Sequence, residues 1–86
     1  MGNYSVEYSS EAFSQLRGLD KTVARRVVKK VETALANPYS FFKRLTGRPE
    51  YKLKIGDYGL IADIEEAQRT IFIRSIGHRR DIYRKA

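Results

Sequence analysis

Lys52 and Lys54 stand one residue apart in Tyr51-Lys52-Leu53-Lys54-Ile55-Gly56-Asp57-Tyr58, and the chain ends in a second basic run, His78-Arg79-Arg80 followed by Tyr83, Arg84 and Lys85. Cationic and phenolic side chains of this kind grip phosphate. Cleaving a phosphodiester in RNA requires removal of the 2′-hydroxyl proton, stabilisation of added charge on the phosphorus oxygens, and protonation of the leaving 5′-oxygen. A pair of histidines would meet those needs, but His78 is the only histidine. Acid and base must then come from Lys, Arg and Tyr, whose ordinary pKa values lie near ~10 or above. Crowding among Lys52, Lys54, Arg74 and Arg79 is expected to lower them.

Other chemistries find less support. Asp57 falls in a turn, Glu65 and Glu66 in a hairpin loop, and Asp63 stands apart, so no two carboxylates have a ligand spacing on one element. No metal or other cofactor is expected. With no cysteine there is neither a disulfide framework nor a thiolate site. Gly56, Gly59 and Gly77 do not form a phosphate-loop pattern, and a nucleophilic triad has no candidate.

The elements that must position the basic residues follow from periodicity. Tyr51, Leu53 and Ile55 alternate with the two lysines, the period of a half-buried strand. Gly56-Asp57 suits a two-residue turn with glycine first, because that turn matches strand twist. Such a turn sets Lys54 opposite Gly59, Leu53 opposite Leu60 and Lys52 opposite Ile61. A third strand, Thr70 to Ile76, follows a loop at Glu65 to Gln68; its near-continuous apolar run suggests a central strand covered on both faces. A symmetric register there sets Gly59 opposite Arg74, Leu60 opposite Ile73 and Ile61 opposite Phe72. Directly paired residues have Cβ atoms ~4.5–5.5 Å apart, so Lys54, Gly59 and Arg74 are expected to form one row of a cationic shelf.

Upstream, Tyr4, Val6 and Tyr8 alternate with Ser5 and Glu7 as a short opening strand. Ser9 and Ser10 offer an N-cap to a brief helix with Glu11 in its first turn, anchored by Phe13 and Leu16 and ended at Gly18. Asp20 caps the main helix, Lys21 to Ala36. Its stripe of Val23, Val27, Val31 and Leu35 faces the core, and Arg25, Arg26, Lys29 and Lys30 form a solvated opposite face. Asn37-Pro38 stops it. Tyr39 to Pro49 reads as a packed loop, with Phe41, Phe42 and Leu45 under the sheet and Lys43, Arg44 and Arg48 wet.

Residues 1–86 are therefore read as one small α+β domain: an N-terminal strand, two helices, a three-stranded antiparallel sheet and a short basic C-terminal tail. The net charge of +7 points to a polyanion or an acidic protein partner. It is unevenly spread. Residues 1–42 hold six basic and four acidic side chains, and residues 43–86 hold eleven and six, so the excess belongs to the sheet and tail. With no apolar run near 18 residues there is no spanning helix, and Met1-Gly2-Asn3-Tyr4 has no signal-peptide pattern. The expectation is a cytoplasmic protein with no membrane partner.

Leu45-x-Gly47, the run Tyr51 to Tyr58, and Ile76-Gly77-His78-Arg79-Arg80-Asp81-Ile82-Tyr83 together resemble the RelE/ParE superfamily of toxin–antitoxin toxins, over nearly the whole chain. The resemblance implies a RelE-like, microbial-RNase-like fold. RelE-like members cleave mRNA in the ribosomal A site, and ParE-like members share the fold but inhibit DNA gyrase. It also implies a RelB-like cognate antitoxin, with operator DNA bound only by the toxin–antitoxin complex. Of the RelE-type cluster, two lysines on the first hairpin strand correspond to Lys52 and Lys54, a late arginine to Arg79, and a nearby tyrosine to Tyr83. Gly59 stands where the family usually has arginine.

Arg74 is the expected replacement, reaching over Gly59; a solubility role for Arg74, or a weakened toxin, are the alternatives. Lys54 or an ionised Tyr83 would accept the 2′ proton, Lys52 and Arg74 would stabilise the phosphorane, and Arg79 would hold the scissile phosphate. Arg44, Arg48, Phe72, His78, Arg80 and Arg84 are candidate RNA contacts; Phe72 alternatively packs, and His78 alternatively orients the tail through a hydrogen bond. Weak acids on an open sheet orient free RNA poorly, so substrate geometry is expected to come from the ribosome. The competing readings are a ParE-like gyrase inhibitor without nuclease activity and a basic RNA-binding module.

Overall fold

A computed structural model describes residues 3–85, with the side chains of Arg84 and Lys85 left undescribed. In chain order the elements are β1 (Ser5–Tyr8), α1 (Ser10–Arg17), α2 (Lys21–Ala34), α3 (Pro38–Phe41), β2 (Lys43–Arg44), β3 (Tyr51–Ile55), β4 (Tyr58–Glu65), β5 (Thr70–His78) and α4 (Arg79–Lys85). The strands form one mixed sheet in the order β1-β5-β4-β3-β2, with β1 parallel to β5 and the other neighbours antiparallel. The expected three-stranded sheet is thus extended at both edges, and β4 rather than β5 is the middle strand.

The first hairpin has the register that its turn dictates: Lys54 pairs with Gly59, Leu53 with Leu60 and Lys52 with Ile61. Gly56 has φ +60° while Asp57 stays out of the left-handed region, the pattern of a type II′ turn. Leu53, Ile55, Leu60, Ala62, Ile71, Ile73 and Ile76 all enter the main core, so one face of the sheet is packed against helices. By alternation Lys52, Lys54, Gly59, Ile61, Phe72 and Gly77 belong to the other face. There Leu45, Ile61 and Ile82 make a small second cluster with Tyr83.

The helices form for the reasons their sequences suggest. Ser9 caps α1 by accepting from the Ala12 N–H, and Asp20 caps α2 by accepting from the Thr22 N–H. Val27, Val31 and Ala34 of α2 are fully buried. Each buried valine contributes roughly 1.5–3 kcal/mol relative to exposure. After Asn37 the chain does not wander: Pro38 starts the single turn α3, and β2 follows. That strand sends Phe42 to the main core and Leu45 to the second cluster, where a shared packed loop had been expected.

The second hairpin departs from the expected register. β4 continues to Glu65, which pairs with Thr70, and the loop is Glu66 to Arg69, closed by Arg69 at φ 47°. Ala62 pairs with Ile73 but Ile61 with Ser75, so Arg74 is the extra residue of a β-bulge, and Gly59 faces Gly77. The bulge has a cause far away in sequence. β1 ends at Tyr8, and the start of α1 takes its place along the β5 edge. Ser9 Oγ donates to the Arg74 carbonyl (2.8 Å), and the Ile76 N–H donates to Gln15 Oε1 (2.6 Å).

At the opposite end of the sheet, Glu66 accepts from the phenols of Tyr4 (2.7 Å) and Tyr39 (2.6 Å). Those bonds hold the Glu66 carboxyl below the usual carboxylate range and raise both phenols. Among the described residues no helix is long and apolar enough to cross a membrane.

Two stability measurements test this arrangement. Gln15→Ala strands a part-buried N–H and should lower unfolding free energy by about 1–3 kcal/mol in urea titration; an unshifted midpoint would mean that water satisfies the Ile76 amide. A depressed carboxylate adds stability above its unfolded pKa and loses it as pH falls through the folded one, so acid should destabilise the protein below about pH 4. The raised phenols add stability below about pH 10 that is lost as pH rises further. Glu66→Gln should flatten both limbs of the thermal-melting profile against pH, and a profile identical to wild type would rule out this cluster as their source.

Candidate active site on the open face of the sheet

Gly59 and Gly77 face each other across β4 and β5 and leave a bare strip on the open side. α4 lies on that strip. A Cβ on Gly77 would come 2.8 Å from Ile82 Cγ2, and one on Gly59 would collide with the Tyr83 hydroxyl and stand 3.1 Å from Arg79 Cγ. The missing arginine at position 59 therefore leaves no hole: Tyr83 and the Arg79 stem fill the place. Arg79 begins the helix by donating its N–H to the Asp57 carbonyl at the β3–β4 turn (3.0 Å).

Four of the expected residues converge here. Tyr83 Oη donates to the Leu53 carbonyl (3.2 Å), which sets its ring beside β3. Lys52 Nζ lies 5.3 Å from that ring centroid, within the range of a cation–π contact. Lys54, exposed, occupies the next open-face position of the same strand, opposite Gly59. Burial raises the Tyr83 phenol, although Arg79 opposes the shift. With its phenol raised and its O–H donating to Leu53, Tyr83 lends no support to the alternative in which it ionises to take the 2′ proton in place of Lys54.

The remaining expected residues are elsewhere. Arg74, displaced by the bulge, is two rows from Gly59 and pairs with Asp63 (Nη1–Oδ2 2.7 Å), so the expected reach over Gly59 does not occur. Arg48 pairs with Glu50 (3.1 Å). Arg48, Glu50 and Arg74 line a cavity of about 360 Å³ with Phe72 and Ile82, where Phe72 is half-buried opposite Asp63. Arg44 lies over Tyr51 on the helix-packed side, bonded to its hydroxyl (2.9 Å). His78 pairs with Tyr58, rings 5.4 Å apart, and its buried Nδ1 has no partner among the described residues, so the expected tail-orienting bond is not made through that atom. The tail is held by Ile82, Tyr83 and the Arg79 amide. Arg80 is exposed on α4, and the Arg84 side chain lies outside the described residues.

Sequence reasoning missed Lys43. β2 sets it directly opposite Lys52, extending the open-face row to a third lysine. The signal was present in Phe42-Lys43-Arg44-Leu45, but two residues are too few to show a strand period. Around this patch, Lys43, Lys52, Lys54 and Arg79 make no ion pair among the described residues. The arrangement presents several donors and positive charges to one anionic group.

Comparison with known proteins agrees with this geometry. Residues 6–83 match the family model of the ParE toxin of the type II toxin–antitoxin system parDE. No curated protein matches in sequence. Among solved structures, the RelBE2 toxin–antitoxin complex of Mycobacterium tuberculosis aligns with TM-score 0.80 at 22% identity, over 90% of this chain and 99% of that one. The intact Escherichia coli RelBE complex aligns with TM-score 0.77 at 26% identity, over 87% and 95%. The chromosomal ParDE system of Pseudomonas aeruginosa aligns with TM-score 0.71 at 12% identity, over 91% and 98%. The fold, the basic patch and the match to 6–83 make the chain a member of the ParE toxin family of type II toxin–antitoxin systems, in the RelE/ParE superfamily.

Proposed function

We propose that this protein is a metal-independent endoribonuclease toxin that cuts mRNA in the ribosomal A site and is neutralised by a RelB-like antitoxin. The observation that carries the reading is the meeting of Lys52, Lys54, Arg79 and Tyr83 over the Gly59–Gly77 strip. Lys52 and Arg79 supply positive charge to the phosphorane, as such groups do for a developing oxyanion. Tyr83, kept neutral by burial, has a single O–H, which rests on the Leu53 carbonyl and would turn from it to donate to the phosphate or the leaving oxygen. Lys54, exposed and without an ion pair among the described residues, is left to take the 2′ proton, a step open to its free amine and not to the ammonium, which has no lone pair. None of these groups is a strong acid or base near neutrality, so the ribosome must supply the geometry of attack. Arg74, neutralised by Asp63, is left out of the reacting set. In the cell the protein would act in the cytoplasm, and operator DNA would be a target of the toxin–antitoxin complex.

A second reading has its own support. The family model is that of ParE, and Gly59 carries no arginine, which suits a gyrase-directed inhibitor without chemistry of its own.

Primer extension on translating ribosomes separates the two. Wild type should create new mRNA ends within codons, and Lys52→Ala, Lys54→Ala and Arg79→Ala should each lower the cleavage rate by about 10²-fold, the usual loss for one charge-stabilising donor. Arg74→Ala should lower it by less than about 5-fold, the scale of an exposed ion pair. Growth arrest with whole messages and trapped gyrase–DNA cleavage would transfer the assignment to the second reading.

A further inference from the structure

A second cationic surface adjoins the first. Arg26, Lys29 and Lys30 of α2, with Thr33, line a groove against Lys54, Ile55 and Gly56, with a volume of about 450 Å³. It has no carboxylate in its lining, and its four cations make no ion pair among the described residues. Arg26 reaches the β3–β4 turn, where its Nη2 is 3.3 Å from the position of a Cβ on Gly56. Lys30 Nζ lies 5.5 Å from the ring centroid of Phe41 in α3, within the range of a cation–π contact. Arg26 and Lys30 are one helical turn apart, about 6 Å along the axis. The groove's one apolar side chain, Ile55, is 8% exposed, and no aromatic residue lines the groove for a base to stack on. A row of unneutralised charges without a stacking platform suits phosphates.

We propose that this groove holds the phosphate backbone of the RNA strand as it leaves the Lys52–Lys54–Arg79 patch, a sequence-independent grip by Arg26, Lys29 and Lys30. The proposal rests on the reading that RNA occupies that patch. Lys54 belongs to both surfaces, so a strand with one phosphate at the patch meets the α2 cations next. An acidic protein segment would meet the same charges, but the continuity with the patch through Lys54 favours RNA.

The test is binding of a short 2′-O-methyl oligouridine, which lacks the 2′ nucleophile, to the purified toxin across a salt series by fluorescence anisotropy. Each phosphate contact on a single strand contributes about 0.7 to the slope of log affinity against log salt. The triple variant Arg26→Ala/Lys29→Ala/Lys30→Ala should make that slope shallower by about 2. Arg17→Ala/Lys21→Ala/Arg69→Ala, an equal charge change at residues outside the groove lining, should keep the wild-type slope, and matched thermal melts show that both variants fold. Equal slopes for the two triples would overturn the proposal. So would an unchanged RNA slope alongside weakened binding of oligoglutamate, which would assign the groove to an acidic protein. Because the probe is not cut, the result is independent of cleavage: a shallower slope with intact cellular mRNA keeps the groove and removes the nuclease, and cut mRNA with an unchanged slope does the reverse.

Discussion

Two facing glycines govern how the basic tail meets the sheet. A side chain on Gly59 or Gly77 would occupy the space now taken by Tyr83, Arg79 and Ile82, and α4 would have to ride higher. At its present height the helix brings Arg79 to the β3–β4 turn and sets Tyr83 against the Leu53 carbonyl and below Lys52. The shared patch is a consequence of that close approach, since the lysines come from a strand and the arginine and tyrosine from a helix some 25 residues later. Ile82 supplies the apolar anchor, packing with Leu45 and Ile61.

The same contact changes what Gly59 means. Read as a motif position, it is a lost arginine; seen in the fold, it is the floor on which a phenol rests. Burial in that seat keeps Tyr83 protonated. The site thereby holds a neutral phenol at a place where the family resemblance implied a permanent charge. A patch organised this way has less positive charge directly above the sheet and more at its β2–β3 edge, where Lys43 stands opposite Lys52.

How much of this could be read from residues alone depends on the range of the forces involved. The β3–β4 register was legible because Gly56-Asp57 fixes it locally. The helix caps at Ser9 and Asp20 were legible for the same reason. The β4–β5 register was not. Its loop closes on Arg69 in a left-handed conformation that nothing in that residue type announces, and its bulge is stabilised by Ser9 and Gln15, more than sixty positions away. Shifting that register carried Arg74 from the expected shelf to Asp63, and no periodicity within β5 could have revealed it. The convergence of Lys52, Lys54, Arg79 and Tyr83 was visible from motif spacing, whereas Lys43 was hidden in a strand of two residues.

Charge on the open face is sorted along the strands. Toward the β4–β5 loop, Arg74 is neutralised by Asp63 and Arg48 by Glu50. Toward the β3–β4 turn, Lys52, Lys54 and Arg79 have no such partner among the described residues, and the α2 cations continue the trend around the edge. A polyanion therefore meets a field that strengthens in one direction across the sheet. Ion pairs at the surface add little to stability, so their main effect here is to remove competing phosphate sites from one half of the face. The sheet needs no pocket to choose where an anion settles, because the carboxylates have already excluded the alternative.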